Sequence, residues 1–419
     1  MNAPLELANR IAQHVDAERL LASVETLASF GARDDGGVNR PALSADDLDA
    51  RRYLIERAHA LGCTVSVDAC ANLFIRRAGT EALAPVVTGS HIDTQPSGGK
   101  LDGCYGVLAG FEVLEALNDA NAQTRRPLEV AIWTNEEGTR FAPGAMGSSA
   151  FVEPQRMARY LDARDAQGVT LREALDAHRK AFPELDARAS DERNEAAHAF
   201  VELHIEQGPQ LENADLPLAV VSGIQGVRWY AFHCTGVAAH AGTTPMPLRR
   251  DAMTLALALH AELDGIAQRL GADHTRVTFG RWNVEPNSIN TIPSNVSFTV
   301  DFRHPDSAVL DAFDDAVHAL AKRHEARLEA LFAHAPVAFD DTVLATLDDA
   351  CEALGAPATR LTSGAFHDAM YLAGHCPSAM LFVPSIGGIS HNPVEATHPH
   401  HLVLGARALA HSLVTLCNA

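Results

Sequence analysis

Short apolar runs alternate with helical patterns along most of the chain. Residues 84–87, 128–133 and 379–383 have the continuous apolar character of strands that are buried on both faces. Helices with periodic apolar residues are predicted around these strands over residues 5–27, 44–62, 105–117 and 342–354. Alternation of strand and helix predicts an α/β fold with a mixed sheet, whose functional loops gather at one edge of that sheet.

The pattern changes in the middle of the chain. Residues 227–235 and 295–303 alternate apolar with polar positions, and helices are predicted over residues 251–270 and 307–328. Because 419 residues exceed what one hydrophobic core usually serves, two domains are expected. We predict a catalytic domain made of residues 1–213 and 331–419, interrupted by an α+β domain over residues 214–330.

Composition and charge narrow the class of protein. The chain carries 33 basic and 53 acidic residues, a net charge of −20, which disfavours binding to nucleic acid or to an anionic membrane. No apolar run approaches the roughly 18 residues that a membrane span needs, and the N-terminus lacks the pattern of a signal peptide. Seven cysteines without C-x-x-C spacing argue against a disulfide framework. A soluble, cytoplasmic protein is therefore expected.

Histidines and acids occur in the loops that follow the predicted strands. His91 and Asp102 lie in a glycine-rich stretch after the first strand, and both are ligand types that divalent ions accept. Asp93 is placed to accept the other ring proton of His91 and so to fix its tautomer. A structural histidine in a polar loop is the simpler alternative for this stretch alone. Three further loops carry candidate ligands: the acidic pair of Glu136 and Glu137, then His204, then His391. The complete order His, Asp, Glu, His, His indicates a two-metal site.

Six motifs together resemble the M20-type metallo-amidases of the hydantoinase/carbamoylase group, which includes N-carbamoyl-L-amino acid hydrolase, β-ureidopropionase and allantoate amidohydrolase. The motifs are SHIDT, LDGCYGV, NEEGTRF, HIEQGP, SGAFHDA and GISHNPVE. The resemblance implies two divalent ions held by His91, Asp102, Glu137, His204 and His391, with zinc expected first and manganese, cobalt or nickel as alternatives. It leaves Glu136 free as the general base. One departure is Phe366, which stands where many members carry glycine and puts the shape of the substrate pocket in question.

The resemblance also assigns roles within the middle domain, where the residues alone favour simpler interpretations. His240 would otherwise be a surface histidine, Asn290 a turn residue, and Arg303 a solvated charge or a partner of Asp301. By resemblance, His240 helps to polarise the scissile carbonyl, and Asn290 and Arg303 hold the substrate carboxylate, for which the arginine fork is suited. The middle domain then acts as a lid and a dimerisation domain, and a homodimer is expected.

The expected reaction is the metal-dependent hydrolysis of a linear carbamoyl amide, first of all an N-carbamoyl-L-amino acid. Allantoate and carbamoyl-β-alanine are the alternative substrates, and a non-catalytic metal-binding scaffold is the alternative class. Gln207, Gly364 and His367 are expected to line the pocket, although His367 could equally form a structural hydrogen bond to Asp368. The cluster at residues 398–401 is interpreted as a surface tract, and Cys104 as a packing residue.

Overall fold

The computed structural model describes residues 3–188, 197–271 and 274–419. In chain order, the helices are α1 (Ala3–Gln13), α2 (Ala17–Ala28), α3 (Ala45–Ala60), α4 (Cys104–Asp119), α5 (Met146–Val152), α6 (Met157–Tyr160), α7 (Leu171–Ala181), α8 (Gln210–Ala214), α9 (Ala252–Gly271), α10 (Ser307–Arg323), α11 (Asp341–Ala353), α12 (Ala369–Leu372) and α13 (Pro399–Asn418). The strands are β1 (Thr64–Val67), β2 (Leu73–Arg77), β3 (Val86–His91), β4 (Leu128–Trp133), β5 (Asp186–Ala187), β6 (Ala199–Ile205), β7 (Leu218–Ile224), β8 (Gly226–Thr235), β9 (Ala239–His240), β10 (Arg276–Thr278), β11 (Trp282–Glu285), β12 (Thr291–Ile292), β13 (Asn295–His304), β14 (Arg327–His334), β15 (Val337–Ala338), β16 (Ala358–Ser363) and β17 (Ser378–Val383).

These elements form two compact units. The larger comprises Met1–Ser222 and Phe339–Ala419, and the smaller comprises Gly223–Ala338. The larger unit is built on a mixed sheet in the order β7-β17-β6-β3-β4-β2-β1-β5, with β16 beside β7. Strands β17, β6, β3 and β4 run parallel to one another, so their carboxyl ends meet at one edge of the sheet. The predicted α/β fold with a mixed sheet is confirmed.

Two boundaries in the larger unit differ from the sequence prediction. Strand β3 continues to His91, because its ladder with β4 extends as far as the pair His91 and Trp133. The single helix predicted over residues 5–27 is two helices. Asp16 separates them, since its side chain caps α2 by accepting from the Arg19 amide and its own amide donates to the Glu112 carboxylate.

The helices of the larger unit bury the sheet. Helix α4 packs on β3, β4 and β6. Most of its residues are buried and apolar, as expected for a helix that other elements surround. Helix α13 packs against α1, α4 and α11. All seven cysteines are unpaired and buried. Within the described ranges, no helix has the length and apolar character needed to cross a membrane.

The smaller unit is an antiparallel sheet whose core lies under two helices. The strand order is β10-β13-β8-β14, with β11 also pairing with β13. The predicted alternation in β13 is confirmed, because Val296, Phe298, Val300 and Phe302 are buried among side chains of α9 and α10. The helix predicted over residues 307–328 was too long: α10 ends at Arg323, and the chain then enters strand β14, which pairs with β8.

Candidate metal centre

Side chains from four loops meet at the carboxyl edge of the parallel strands. His91 ends β3, and Glu136 and Glu137 follow β4. His204 lies near the end of β6, and His391 lies in the loop after β17. Parallel strands bring these positions together although the residues are up to three hundred positions apart in the chain.

Asp102 lies between two groups of potential ligands. On one side its Oδ1 is 3.1 Å from Nε2 of His204 and 3.9 Å from Nε2 of His91. On the other side its Oδ2 is 3.1 Å from Nε2 of His391, which is itself 3.8 Å from Oε2 of Glu137. These side chains form two trios of potential ligands, one of Asp102, His91 and His204 and the other of Asp102, Glu137 and His391. The ligand atoms within each trio lie within 4.8 Å of one another. Both trios share Asp102, so its two oxygens face two different groups of nitrogen and oxygen donors.

The ring nitrogens of two histidines are oriented by main-chain carbonyls. Nδ1 of His91 is 2.9 Å from the carbonyl oxygen of Asp93, and Nδ1 of His204 is 2.9 Å from that of Ile205. Each Nδ1 therefore donates its proton, so that the Nε2 of a neutral ring would present its lone pair on the side of Asp102. The role expected for the Asp93 carboxylate is corrected, because this carboxylate lies 3.8 Å from the ring and the main-chain oxygen accepts instead.

The Asp93 carboxylate holds the acidic loop that follows β4. Its two oxygens each accept a main-chain hydrogen bond of 3.2 Å, one from Glu136 and one from Glu137. This arrangement sends the two neighbouring side chains to different places: Oε2 of Glu136 lies 3.4 Å from Nε2 of His91, whereas Oε2 of Glu137 faces His391 and accepts from Gln95. Glu136 thus reaches the centre from the side of His91.

The centre concentrates buried acids. Burial, together with the charges of Asp368, Glu137 and Asp102, raises the pKa of Glu136 well above its usual range. Burial and Asp102 raise the pKa of Glu137 to about 8, and one of its oxygens, Oε1, is buried without a hydrogen-bond partner among the residues that the structure describes. Burial lowers the pKa of His91 to about 4. A bound cation would stabilise the ionised form of these crowded acids, would contact Oε1 of Glu137 and would accept the lone pair of the neutral His91 imidazole. These donors therefore fit divalent ions.

A glycine makes room for the His91 ring. Gly103 precedes α4 with φ +66° and ψ −49°, and a Cβ at this position would overlap the imidazole of His91. Its amide also lies 3.1 Å from Nε2 of His204. The LDGCYGV motif therefore needs a glycine directly after Asp102, for both conformation and space.

The predicted pocket residues have distinct surroundings. Nε2 of Gln207 donates to Oδ2 of Asp102 at 3.0 Å, so this side chain belongs to the ligand cluster. His367 is buried with its ring 4.6 Å from that of His204, and Nε2 is 3.0 Å from Oγ of Ser363. Gly364 is exposed. The ring of Phe366 packs against Gly144, in the loop that follows Glu137.

Asp368 has a partner other than His367. Its Oδ1 accepts from Ser148 at 2.5 Å, and its Oδ2 is buried with no hydrogen-bond partner in the described part of the chain. The hydrogen bond between His367 and Asp368 considered from the sequence is therefore replaced by one between His367 and Ser363.

Three predicted residues lie in the smaller unit. His240, on β9, pairs with Thr291 of β12, and the main-chain oxygen of Asn290 accepts from Ala241, so His240 and Asn290 are neighbours. Arg303, on β13, forms a two-pronged ion pair with Asp301, with Nη2 2.8 Å from Oδ2 and Nε 3.0 Å from Oδ1. In the larger unit, the cluster of His398, His400 and His401 lies at the start of α13, with the first two exposed.

Two residues that support the centre were missed from the sequence. Arg40 is fully buried, and its Nε donates to the carbonyl oxygen of Ile92, between His91 and Asp93. Glu395 is buried and accepts from the amides of Leu101 and Asp102. The available signals were the one charge within residues 36–45 and the final glutamate of the GISHNPVE motif.

Comparison with known proteins gives consistent matches over nearly the whole chain. The model of peptidase family M20/M25/M40 matches residues 87–415. An N-carbamoyl-L-amino acid amidohydrolase of Geobacillus stearothermophilus is 38% identical over 410 residues, covering 95% of this chain and 98% of that protein. An allantoate amidohydrolase of Bacillus subtilis is 36% identical over 400 residues, covering 94% and 96% respectively. A solved amidase of the hydantoinase/carbamoylase family from Burkholderia multivorans has a TM-score of 0.89 and 43% identity, covering 97% of this chain and 98% of that chain.

Proposed function

Because the chain belongs to peptidase family M20/M25/M40, we propose that it is a metal-dependent amidase whose principal substrates are N-carbamoyl-L-amino acids. It is a hydrolase of carbon–nitrogen bonds, and its relatives over the full length support hydrolysis of a carbamoyl amide. One water would convert the substrate to amino acid, carbon dioxide and ammonia. The observation that carries the proposal is the pair of ligand trios that share Asp102.

We propose two divalent ions at this centre. Asp102, His91 and His204 would hold one, and Asp102, Glu137 and His391 would hold the other. When bound, such a pair of ions supplies Lewis acidity for a water and for the scissile carbonyl. The set of histidine and carboxylate donors suits zinc first, with manganese, cobalt and nickel as alternatives.

Glu136 is the proposed general base. Its carboxylate lies beside His91 yet belongs to neither trio of ligands, and its backbone is held by Asp93. A carboxylate in this position would accept the proton of the attacking water and deliver it to the departing nitrogen. A base that is also a ligand could not move a proton so freely, which is why the division between Glu136 and Glu137 matters.

The roles of the smaller unit are also proposals. The larger unit would carry the catalysis. The smaller unit, predicted from the sequence as residues 214–330 and spanning Gly223–Ala338 in the structure, would act as lid and dimerisation domain in a homodimer. Arg303 and Asn290 are the proposed ligands of the substrate carboxylate, and His240 is the proposed donor to the scissile carbonyl. The sequence motifs support these assignments, and guanidinium suits the recognition of a carboxylate. Gln207, Gly364 and His367 are the proposed residues of the rest of the pocket.

Ammonia release from a panel of substrates tests the proposed function. The protein would be freed of metal with a chelator and then assayed with N-carbamoyl-L-amino acids, carbamoyl-β-alanine and allantoate, with zinc, manganese, cobalt or nickel added back. We expect turnover only with added ion and the highest kcat/KM for an N-carbamoyl-L-amino acid. Preference for allantoate would favour the second candidate, which the 36% identical Bacillus subtilis relative supports. Ion binding without turnover of any of these compounds would indicate a scaffold and refute the proposal.

A further inference from the structure

Glu395 joins two of the loops that carry candidate ligands. Its side chain is buried, and its Oε1 accepts from the amides of Leu101 at 3.0 Å and Asp102 at 3.1 Å. Its Oε2 accepts from Oγ of Ser390 at 2.7 Å. One carboxylate therefore ties the backbone at Asp102 to the residue that precedes His391.

The same hydrogen bonds close into a ring. Nε2 of Gln207 lies 3.3 Å from Oγ of Ser390 and 3.0 Å from Oδ2 of Asp102. Asp102 is thus held twice, at its amide by Glu395 and at its carboxylate by Gln207, and Ser390 contacts both holders. The loops that follow β3, β6 and β17 are linked through this ring.

The chain leaves space for the Glu395 side chain. Gly99 is buried, and a Cβ at this position would overlap both the carboxylate and the Cβ of Glu395. The backbone of Gly99 does not require a positive φ, so contact with Glu395 is what excludes a larger residue there. The small residue at Gly99 and the buried glutamate at Glu395 are therefore matched to each other, and together they specify where this carboxylate lies.

We propose that Glu395 is a positioning residue that sets the place of Asp102 and thereby the affinity of the centre for both ions. This inference rests on the proposed function, because it presumes ions at the two trios. Glu395 belongs to neither trio, so it acts through the backbone of Asp102. Hydrogen bonds from amides to a carboxylate are among the stronger ones in proteins, and outer partners of ligands typically contribute about 10–100-fold in metal affinity.

Three variants separate positioning from general stability. Glu395→Ala removes all three hydrogen bonds. Glu395→Gln is the matched control, because its oxygen can still accept from both amides while its NH₂ group donates to Ser390. Gly99→Ala perturbs the Glu395 carboxylate without removing it.

The readout is the dissociation constant for Zn²⁺, measured by competition with a chromogenic chelator at a temperature where circular dichroism shows every variant folded. We expect Glu395→Ala and Gly99→Ala to weaken binding about 10–100-fold, and Glu395→Gln to stay within about tenfold of the unmodified protein. The visible spectrum of the Co²⁺-loaded protein should change in Glu395→Ala and in Gly99→Ala and stay the same in Glu395→Gln.

Unchanged zinc affinity in Glu395→Ala would overturn the inference. So would equal losses of thermal stability in ion-free Glu395→Ala and Glu395→Gln with no difference in affinity between them, since that pattern describes a structural residue. If Glu395→Ala does not fold, Gly99→Ala decides, and wild-type affinity in that variant counts against positioning. If the unmodified protein binds no divalent ion, the proposed function fails, and this inference fails with it.

Discussion

Replacing Gly103 by alanine should damage the centre more than it damages the fold. At φ +66° and ψ −49°, an alanine occupies a sparsely populated region, at a cost of about 1–3 kcal/mol in the free energy of unfolding. Its Cβ would also overlap the His91 ring, which has no space to retreat because it is 2% exposed. We therefore expect the affinity for Zn²⁺ to fall by at least about tenfold, which corresponds to about 1.4 kcal/mol.

Gly355 provides a matched control for the backbone term. It has φ +63°, and a Cβ there meets no atom within 4 Å. Gly355→Ala should lower the free energy of unfolding by about 1–2 kcal/mol and leave zinc affinity unchanged. Urea unfolding of the ion-free proteins measures the first quantity, and chelator competition measures the second. Our reasoning is refuted if Gly103→Ala binds zinc as the unmodified protein does, or if its stability and affinity both match those of Gly355→Ala.

Three further changes test other parts of the argument. Glu136→Gln should retain the ions but lower kcat by about 10²–10⁴-fold, and metal analysis with steady-state kinetics would contradict the base role if kcat stays within tenfold. Arg303→Ala should raise KM for a carboxylated substrate about 10–100-fold. The control Arg327→Ala, which removes an exposed ion pair with Glu329 on the same sheet, should leave KM unchanged. Equal KM values for the two variants would exclude Arg303 as the carboxylate ligand. His178→Leu should make the free energy of unfolding fall less steeply between pH 6.5 and 3. Burial first, and then Arg51 and Arg179, lower the pKa of His178 to about 3, so in this range the unfolded chain binds a proton that the folded chain does not. Denaturant titrations at several pH values would contradict this if the free energy of unfolding depended on pH equally in both proteins.

The predictions from the sequence succeeded where local pattern decides structure. The alternation along β13 and the apolar run of β4 specify burial directly, because a strand has a period of two and a fully buried strand has no polar face. The two incorrect helix boundaries arose where a local signal was overridden. Asp16 splits the first helix through its bond with Glu112, 96 residues away, and residues after Arg323 extend because β8 offers them a partner.

The chemistry of the centre follows a similar division. Ligand types at strand ends could be recognised from the sequence, because parallel strands collect their carboxyl ends and because few residue types bind divalent ions. From the sequence, the different roles of Glu136 as general base and Glu137 as ligand were only a hypothesis. The distances that support it depend on Asp93, whose carboxylate holds both amides and whose carbonyl, rather than carboxylate, orients His91.

What the sequence by itself determined was the class of fold, the candidate ligands and the family resemblance, since each is written in residue type and spacing along one dimension. Only the tertiary structure decided which groups share Asp102 and how the loops are held in place. Arg40 and Glu395 act on residues 52 and 293 positions away, through a main-chain carbonyl and a main-chain amide. Every residue carries such groups, so no local pattern reveals which of them a distant side chain will bind.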